Sequence, residues 1–573
     1  MIDMVIVLLS NVFLAAVYAW HRAYPRPYKD IPYSTQSARR LLGDIPDIIQ
    51  FVRDGNAPED FIADRCRRLN SPIIQLFFEP FSRPLIFLDD AAAVSNIVCT
   101  RTKELDRAPI TVRTFLHFFP RSSILKQTTP EWRAQRRLWK DSMGQDFLHH
   151  IAAPKTYKVA LQLMELFQLK TSMGNGRPFS VDTDFNLFAL DAVWAAFLGS
   201  DLHGVRDELD GLRNQHDDFC FQQPASVDSP AALPPTVKGE LFRAIEYLNS
   251  TMNVSVTSPL SGWYRWFVRQ RPKFRRYWAL KTKIINEHIR KARERFAYSG
   301  SQQVDGSKMC AVDIVLCREQ SAISRPNPSA FVIPPTDEEI HDELFMTLVA
   351  GHETTATALS WSVKLLTNNA ESQKRLRDAL RTALPQTNVP TLDDILNTDI
   401  PYLDATLEEC IRLANIVPRI VRVARQNTEI LGIYIPKGAQ IMCTTFVCGH
   451  SLGGSPTYGA RNIRQDEKIC ESSKPGHSTD DLHIFSPERW LDDVGVFNPQ
   501  ALPKLAFSGG PRVCFGRKFA MQELRILLVV LLMKFRLESV PDELNSMQSQ
   551  PMTLRVPRQT FVWLANLDSF EVT

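Results

Sequence analysis

The chain has 573 residues, 44% hydrophobic and 23% charged, so it can build a sizeable core and wholesale disorder is excluded. Lys and Arg number 67 against 63 Asp and Glu, and a net charge of +4 at this length excludes a globally basic nucleic-acid binder. Ten cysteines without a C-x-x-C pair exclude a zinc ribbon and a disulfide-dense scaffold, and leave room for one large fold or several domains.

Met4–Trp20 runs uncharged, at the short end of what a membrane-spanning helix needs, with Tyr18 and Trp20 suited to the interface. His21, Arg22, Arg26 and Lys29 follow it, and only Asp3 precedes it. The positive-inside rule then keeps the main body cytosolic. A cleaved signal peptide would want a basic start and a small-residue cleavage site, and neither is present; a buried core helix is the third reading. Residues 1–21 are therefore expected to be a single-pass anchor. Residues 22–35, with Pro25 and Pro27, are expected to form a stiff hinge, and residues 36–573 one catalytic body.

Ile73–Phe78 and Leu85–Leu88 have strand character. From Pro130 onward helical spacing dominates: Glu131–Met143, Lys158–Leu169, Leu187–Leu198 and Arg275–Phe296. On the first of these, Trp132 and Arg136 share a face and both can donate to carboxylates; a solvated basic face is the alternative. Gln223–Thr236 and Tyr298–Ser307 read as loops. Asn249-Ser-Thr and Asn253-Val-Ser match the glycosylation sequon, which a cytosolic body would never present for modification. Ser261–Arg271 interleaves aromatics with arginines and is expected to be a loop dipping into the membrane surface, where an oily substrate could enter; an RNA patch and a partly exposed connecting helix are the alternatives.

Thr336-Asp-Glu-Glu339 is a capping box opening a long helix to Leu366. Ala350-Gly-His-Glu-Thr-Thr355 lies inside it: small residues let a ligand approach, and a Thr hydroxyl can take a helix carbonyl. Glu409 and Arg412 sit one turn apart on a further helix, and Pro487-Glu-Arg489-Trp490 follows about eighty residues on. Gly453–Asp481 is an irregular insert. The coarse class is mainly α with a minor β part.

Phe507-Ser-Gly-Gly-Pro-Arg-Val-Cys-Phe-Gly516 stands before an apolar helix, Phe519–Leu532. Gly510 and Gly516 permit close backbone approach to a flat cofactor, Arg512 offers a planar fork to a carboxylate, and Cys514 sits where a helix N-terminus favours thiolate. This run resembles the haem-binding loop of the cytochrome P-450 family, F-x-x-G-x-R-x-C-x-G, at every fixed position. The resemblance covers most of the chain beyond the hinge, with the signals in the family's order. It implies the cytochrome P-450 fold and haem b with Cys514 as axial thiolate ligand, a bond that favours O–O cleavage.

By the same resemblance Phe507 packs near the ligand, and Arg512, Trp132, Arg136 and, more weakly, Arg422 hold propionates. Thr354 orders proton delivery with Glu353 as acidic relay. Glu409, Arg412 and Arg489 form a buried structural charge cluster. Asp106–Thr128, the long helix before Ala350, Leu413–Val421 and the stretch around Met552–Leu554 are expected to shape selectivity for a lipophilic substrate.

The leading function is a monooxygenase inserting one atom of O2 into a lipophilic small molecule, a lipid or secondary metabolite. No flavin domain is apparent, so electrons are expected from NADPH-cytochrome P-450 reductase, with cytochrome b5 a possible second donor. Arg517 and Lys518 are candidate docking charges, and the endoplasmic reticulum membrane is the expected location. A haem-thiolate isomerase or dehydratase needing no O2, and a non-catalytic haem protein, are the alternatives. The complete Glu353–Thr354 segment argues against both.

Overall fold

The computed structural model describes residues 2–54, 60–78, 80–216, 224, 226–257, 261–299, 309–323, 335–385, 389–445, 482–550 and 553–567. The insert Gly453–Asp481, Met552 and nearly all of the loop Tyr298–Ser307 lie outside them. The strands are β1 Ile73–Leu76, β2 Leu85–Leu88, β3 Leu105–Arg107, β4 Phe179–Ser180, β5 Arg419–Ala424, β6 Thr428–Ile430, β7 Ile433–Ile435, β8 Gln440–Thr444, β9 Phe535–Glu538 and β10 Phe561–Asn566. Helices carry most of the remaining chain, which divides into two compact units.

The first unit comprises residues 1–111, 417–483 and 503–513. It begins with helix α1 (Ile2–Ala23), whose first turns lie outside the residues with described side chains. Among the described residues no helix is long and apolar enough to cross a membrane. The described side chains from Leu9 to Trp20 are all exposed. The proline-containing stretch after α1 is held at its far end: Gln75 of β1, fully buried, accepts from the Tyr28 amide and donates to the carbonyls of Tyr28 and Ile31. A five-stranded sheet follows in the order β1-β2-β8-β5-β3. β2 and β8 run parallel with Ile86 opposite Ile441, and the other neighbours are antiparallel.

Alternation along the strands divides this sheet between two cores. Ile73, Ile86, Leu88 and Ile441 pack with Val94, Ile97 and Val98 of helix α2 (Ala91–Cys99), while Ile74, Leu76 and Phe87 pack with Phe61 and Ile62. The strand character at Ile73 and Leu85 is thus realised. β5 and β8, which have no counterpart among the expected elements, complete the sheet.

The second unit comprises residues 112–416, 484–502 and 514–573. Its helices include α3 (Pro130–Leu138), α4 (Asp182–Leu198), α5 (Glu240–Thr257), α6 (Ser261–Gln270), α7 (Pro272–Ser299), α8 (Asp337–Thr367), α9 (Pro401–Ala414) and α10 (Arg517–Lys534). The helix expected over Glu131–Met143 ends at Leu138, and a 3-10 turn, Lys140–Met143, replaces its last part. There the Ser142 hydroxyl donates to the Trp139 carbonyl, supplying a local alternative to the α ladder. Ser261–Gln270 is a helix rather than a loop.

α8 spans 31 residues, about 47 Å at 1.5 Å per residue. Thr336 and Glu339 close the capping box reciprocally, each side chain taking the other's backbone N–H at 3.2 Å. α4 packs along α8. A Cβ on Gly351 would come within 3.2 Å of Val193, so this glycine serves the close approach of two helices. β4, β10 and β9 form a three-stranded sheet beside them in the chain's second unit.

Candidate active site

Cys514 precedes the first turn of α10, with Gly516 as N-cap. Its sulfur accepts from the backbone N–H groups of Gly516 and Arg517, and the guanidiniums of Arg136 and Arg517 favour the anion further. Burial nevertheless pushes the thiol above the ordinary cysteine value, outweighing all four. Yet the residue retains accessible surface. Cys514 thus combines dense surroundings with residual accessible surface. Two N–H donors and two guanidiniums suit a sulfur anion, and a metal cation bonded to it would offset the remaining cost of burial.

Glycine does different work at the two predicted positions. A Cβ on Gly516 would meet nothing within 4 Å, so room exists there. Gly510 has φ +60°, and a Cβ on it would lie 2.3 Å from the Val98 carbonyl of α2. The protein's own backbone therefore already requires glycine here.

α8 carries the second part of the site. From Ile340 to Thr367 nearly every residue is buried; the accessible ones, Met346, Thr347, Ala350, Gly351, Glu353 and Thr354, share one face. Ala350 is the most open of them, whereas its neighbour Gly351 is committed to α4. Only one of the two small residues faces open space. The Thr354 hydroxyl donates to the Ala350 carbonyl at 2.7 Å while the helix continues unbroken. His352 points elsewhere, bonds the Leu348 carbonyl, and is pushed by burial to a pKa of about 4, so it is neutral.

Glu353 is bound from α5. The Asn253 amide donates to its carboxylate at 3.0 Å, and Asn249 is a second partner. Burial raises the Glu353 pKa, and the two amides oppose that rise. Both asparagines are buried. They are the sequon residues, so in the folded protein they hold an acid and present no surface to a glycan.

The predicted carboxylate-binding arginines fall into two sets. In the first unit, Arg512 (5% exposed) lies 3.5 Å from Asp106, and buried Arg422 is drawn to the same carboxylate. Two buried guanidiniums around one carboxylate leave positive charge suited to a further acid group. In the second unit, Arg136 lies over the rings of Trp132 (5.6 Å) and Phe515 (4.7 Å), with Trp132 buried. Phe507 is half-buried in the first unit. Of the candidate docking charges, Arg517 pairs with Glu408 at 3.2 Å, while Lys518 is exposed.

Glu409, Arg412 and Arg489 are brought together and buried. Arg412 grips both Glu409 oxygens at 2.7 and 2.8 Å, and Arg489 Nε donates to one at 3.0 Å. The Trp490 indole (2.9 Å) and the Ser486 amide (3.0 Å) complete the shell, two donors that the charge pattern alone did not reveal. A further buried acid escaped the sequence reading. Glu523 of α10 accepts from the Thr355 hydroxyl of α8 at 2.9 Å, and burial pushes its pKa well up. Its signal was available: it is the one carboxylate in the apolar helix that follows Cys514.

Comparison with known proteins identifies a family. The family model for cytochrome P450 matches residues 48–452 and 483–564. The chain is 28% identical to cytochrome P450 monooxygenase TRI13 of Fusarium sporotrichioides over 98% of both chains. It is 30% identical to cytochrome P450 monooxygenase xilC of Penicillium crustosum, over 94% of this chain and 92% of that one. The crystal structure of the cytochrome P450DA heme domain matches 95% of this chain and 98% of its own, with TM-score 0.66 and 17% identity, a likeness of fold. The chain belongs to the cytochrome P450 family, and the relatives that match nearly end to end are monooxygenases by name. The family holds haem through a cysteine thiolate. Within the second unit, the Cys514 sulfur with its donors and the accessible face of α8 fit such a group.

Proposed function

We propose that the protein is a membrane-anchored haem-thiolate monooxygenase that oxidises a lipophilic small molecule. The observation that carries this reading is Cys514: an accessible residue whose sulfur is ringed by two backbone N–H groups and two guanidiniums. Bound haem b supplies reduction and cleavage of O2, one atom going to the substrate and one to water, with two electrons and two protons. Cys514 would hold the haem through its thiolate. Gly516 and Arg517 donate to its sulfur and moderate its basicity, a tuning role. Arg136 in the second unit, and Arg512 and Arg422 in the first, are each candidates to neutralise a propionate. Thr354 holds the water that carries a proton inward, and Glu353 resupplies it from the α5 side. Glu409, Arg412 and Arg489 fix the scaffold.

The electrons come from NADPH-cytochrome P-450 reductase, with exposed Lys518 among the docking charges and cytochrome b5 a second donor. α1 anchors the chain in the endoplasmic reticulum membrane with the body cytosolic. In support, its described side chains are uniformly exposed from Leu9 to Trp20, an arrangement that water penalises and lipid does not. The substrate is a lipid or a secondary metabolite. Its accommodation beside Met346, Thr347 and Ala350 rests on their being accessible on an otherwise buried helix.

The test is a reduced carbon-monoxide difference spectrum of the purified chain, followed by NADPH- and O2-dependent turnover of a lipophilic library with added reductase. A thiolate-type spectrum that Cys514→Ala abolishes, with product formed only when NADPH and O2 are both present, supports the reading. Histidine-type ligation, or turnover without NADPH, overturns it.

A further inference from the structure

α6, the start of α7 and His117 enclose a cavity of about 510 Å³, within the usual range for a small-ligand site. Arg265, Arg269 and Arg275 line it with His117, Trp266 and Trp278, and no Asp or Glu does so among the described residues. The arginines' hydrogen bonds there go to neutral acceptors: Arg265 to the Ser255 hydroxyl at 3.2 Å, Arg275 to the Arg269 carbonyl at 3.1 Å and to the Gln270 amide oxygen. Arg265 Nε is buried without a partner among the described residues. Arg265 and Arg269 repel each other one turn apart, and Arg113 adds to the field at Arg265. A concave site of one sign concentrates counter-ions. It is a receptacle for an anion.

The rim is apolar. Trp263, Trp266 and Phe267 share one face of α6 and are 74%, 61% and 53% exposed. A globular helix normally turns such a face inward. Trp266 belongs to both features, lining the cavity while remaining exposed. Arginine forks match phosphate oxygens bidentately, and indole rings settle at the level of lipid headgroups.

We propose that this cavity binds the phosphate-bearing headgroup of an anionic phospholipid, with the acyl chains lying along Trp263, Trp266 and Phe267. The adjoining apolar rim favours a lipid over a free anion, and a single concave, half-open cavity favours one headgroup over a polyanion track. The site is distinct from the Cys514 chemistry and stands whether or not the oxidation reading does.

The test uses the full-length holoprotein in neutral detergent, titrated with dioctanoyl phosphatidylserine and dioctanoyl phosphatidylcholine and read by native mass spectrometry. The serine lipid should bind at least about tenfold more tightly, since each arginine near an anionic headgroup is worth about fivefold. Arg265→Gln and Arg269→Gln should each weaken it about fivefold, and Arg269→Glu, at an exposed side chain, should abolish the preference. Arg290→Gln, an exposed change elsewhere on α7, should not alter it. An unchanged visible spectrum in each variant reports an intact fold. Equal affinity for the two lipids overturns the proposal, as does an equal loss in Arg290→Gln. Displacement by inorganic phosphate at concentrations matching the lipid would make this a soluble-anion site, and preferential capture of a single-stranded RNA oligomer would make it a nucleic-acid site; either result overturns it.

Discussion

The Asn253 amide donates to the Glu353 carboxylate and opposes the upward push that burial gives its pKa. Asn253→Ala removes that donor, so the acid form should persist to higher pH. The alkaline fall in product formed per NADPH should then move upward in pH in Asn253→Ala, and Glu353→Gln should abolish that limb. An unmoved limb in Asn253→Ala would mean the amide has no bearing on the acid. Thr354→Ala should keep the haem-thiolate spectrum yet divert reducing equivalents to peroxide, measured as hydrogen peroxide per NADPH. Glu523 gives a stability prediction. Its carboxyl has a folded-state pKa well above the ordinary value of 4.5, so the folded state binds the extra proton and stability falls as pH rises from 4.5 toward the folded value. Glu523→Gln should therefore raise Tm at pH 8 more than at pH 5, read by scanning calorimetry. Cys514, Glu353 and Thr354 stand out in the sequence because their types are odd where they stand. Asn249 and Asn253 do not, because a sequon reads as surface and their partner lies a hundred residues away.

Between elements, the Glu409 carboxylate joins α9 to the Pro487–Trp490 turn and its N-cap through three donors, the Ser486 amide, Arg489 and the Trp490 indole. Arg489→Ala should cost ~3–5 kcal/mol because a buried charge is left short of its partner. Trp490→Phe removes only one hydrogen bond to a charged group, about 1.5–3 kcal/mol. Urea unfolding midpoints distinguish the two, and equal effects would argue against a shared charge cluster. The helix α8 could be read from its capping box, and β2 from its apolar run. The parallel pairing of β2 with β8 could not, since it joins segments more than three hundred residues apart and no local period encodes such a partner. The end of α3 was misplaced because apolar spacing continues through Met143 while the backbone tightens after Leu138.

On the scale of the whole chain, the family pattern stops at residue 452 and resumes at 483, which brackets the insert singled out as Gly453–Asp481. Residues 1–47 also precede the matched span. Deleting residues 2–23 should leave the carbon-monoxide spectrum intact and move the protein from the membrane pellet to the supernatant; retention in the pellet would locate membrane attachment elsewhere. The buried sequons bear on which side of the membrane the body occupies. Oligosaccharide is transferred to a nascent chain before it folds, and a sugar on Asn249 or Asn253 would then occupy the interior where α5 must close on Glu353. A luminal body would sort into two populations, one glycosylated and misfolded, one bare and competent. Pigment content measured alongside a glycosidase mobility shift reads that partition directly, and a uniformly bare, fully pigmented protein is the signature of synthesis away from the transferase.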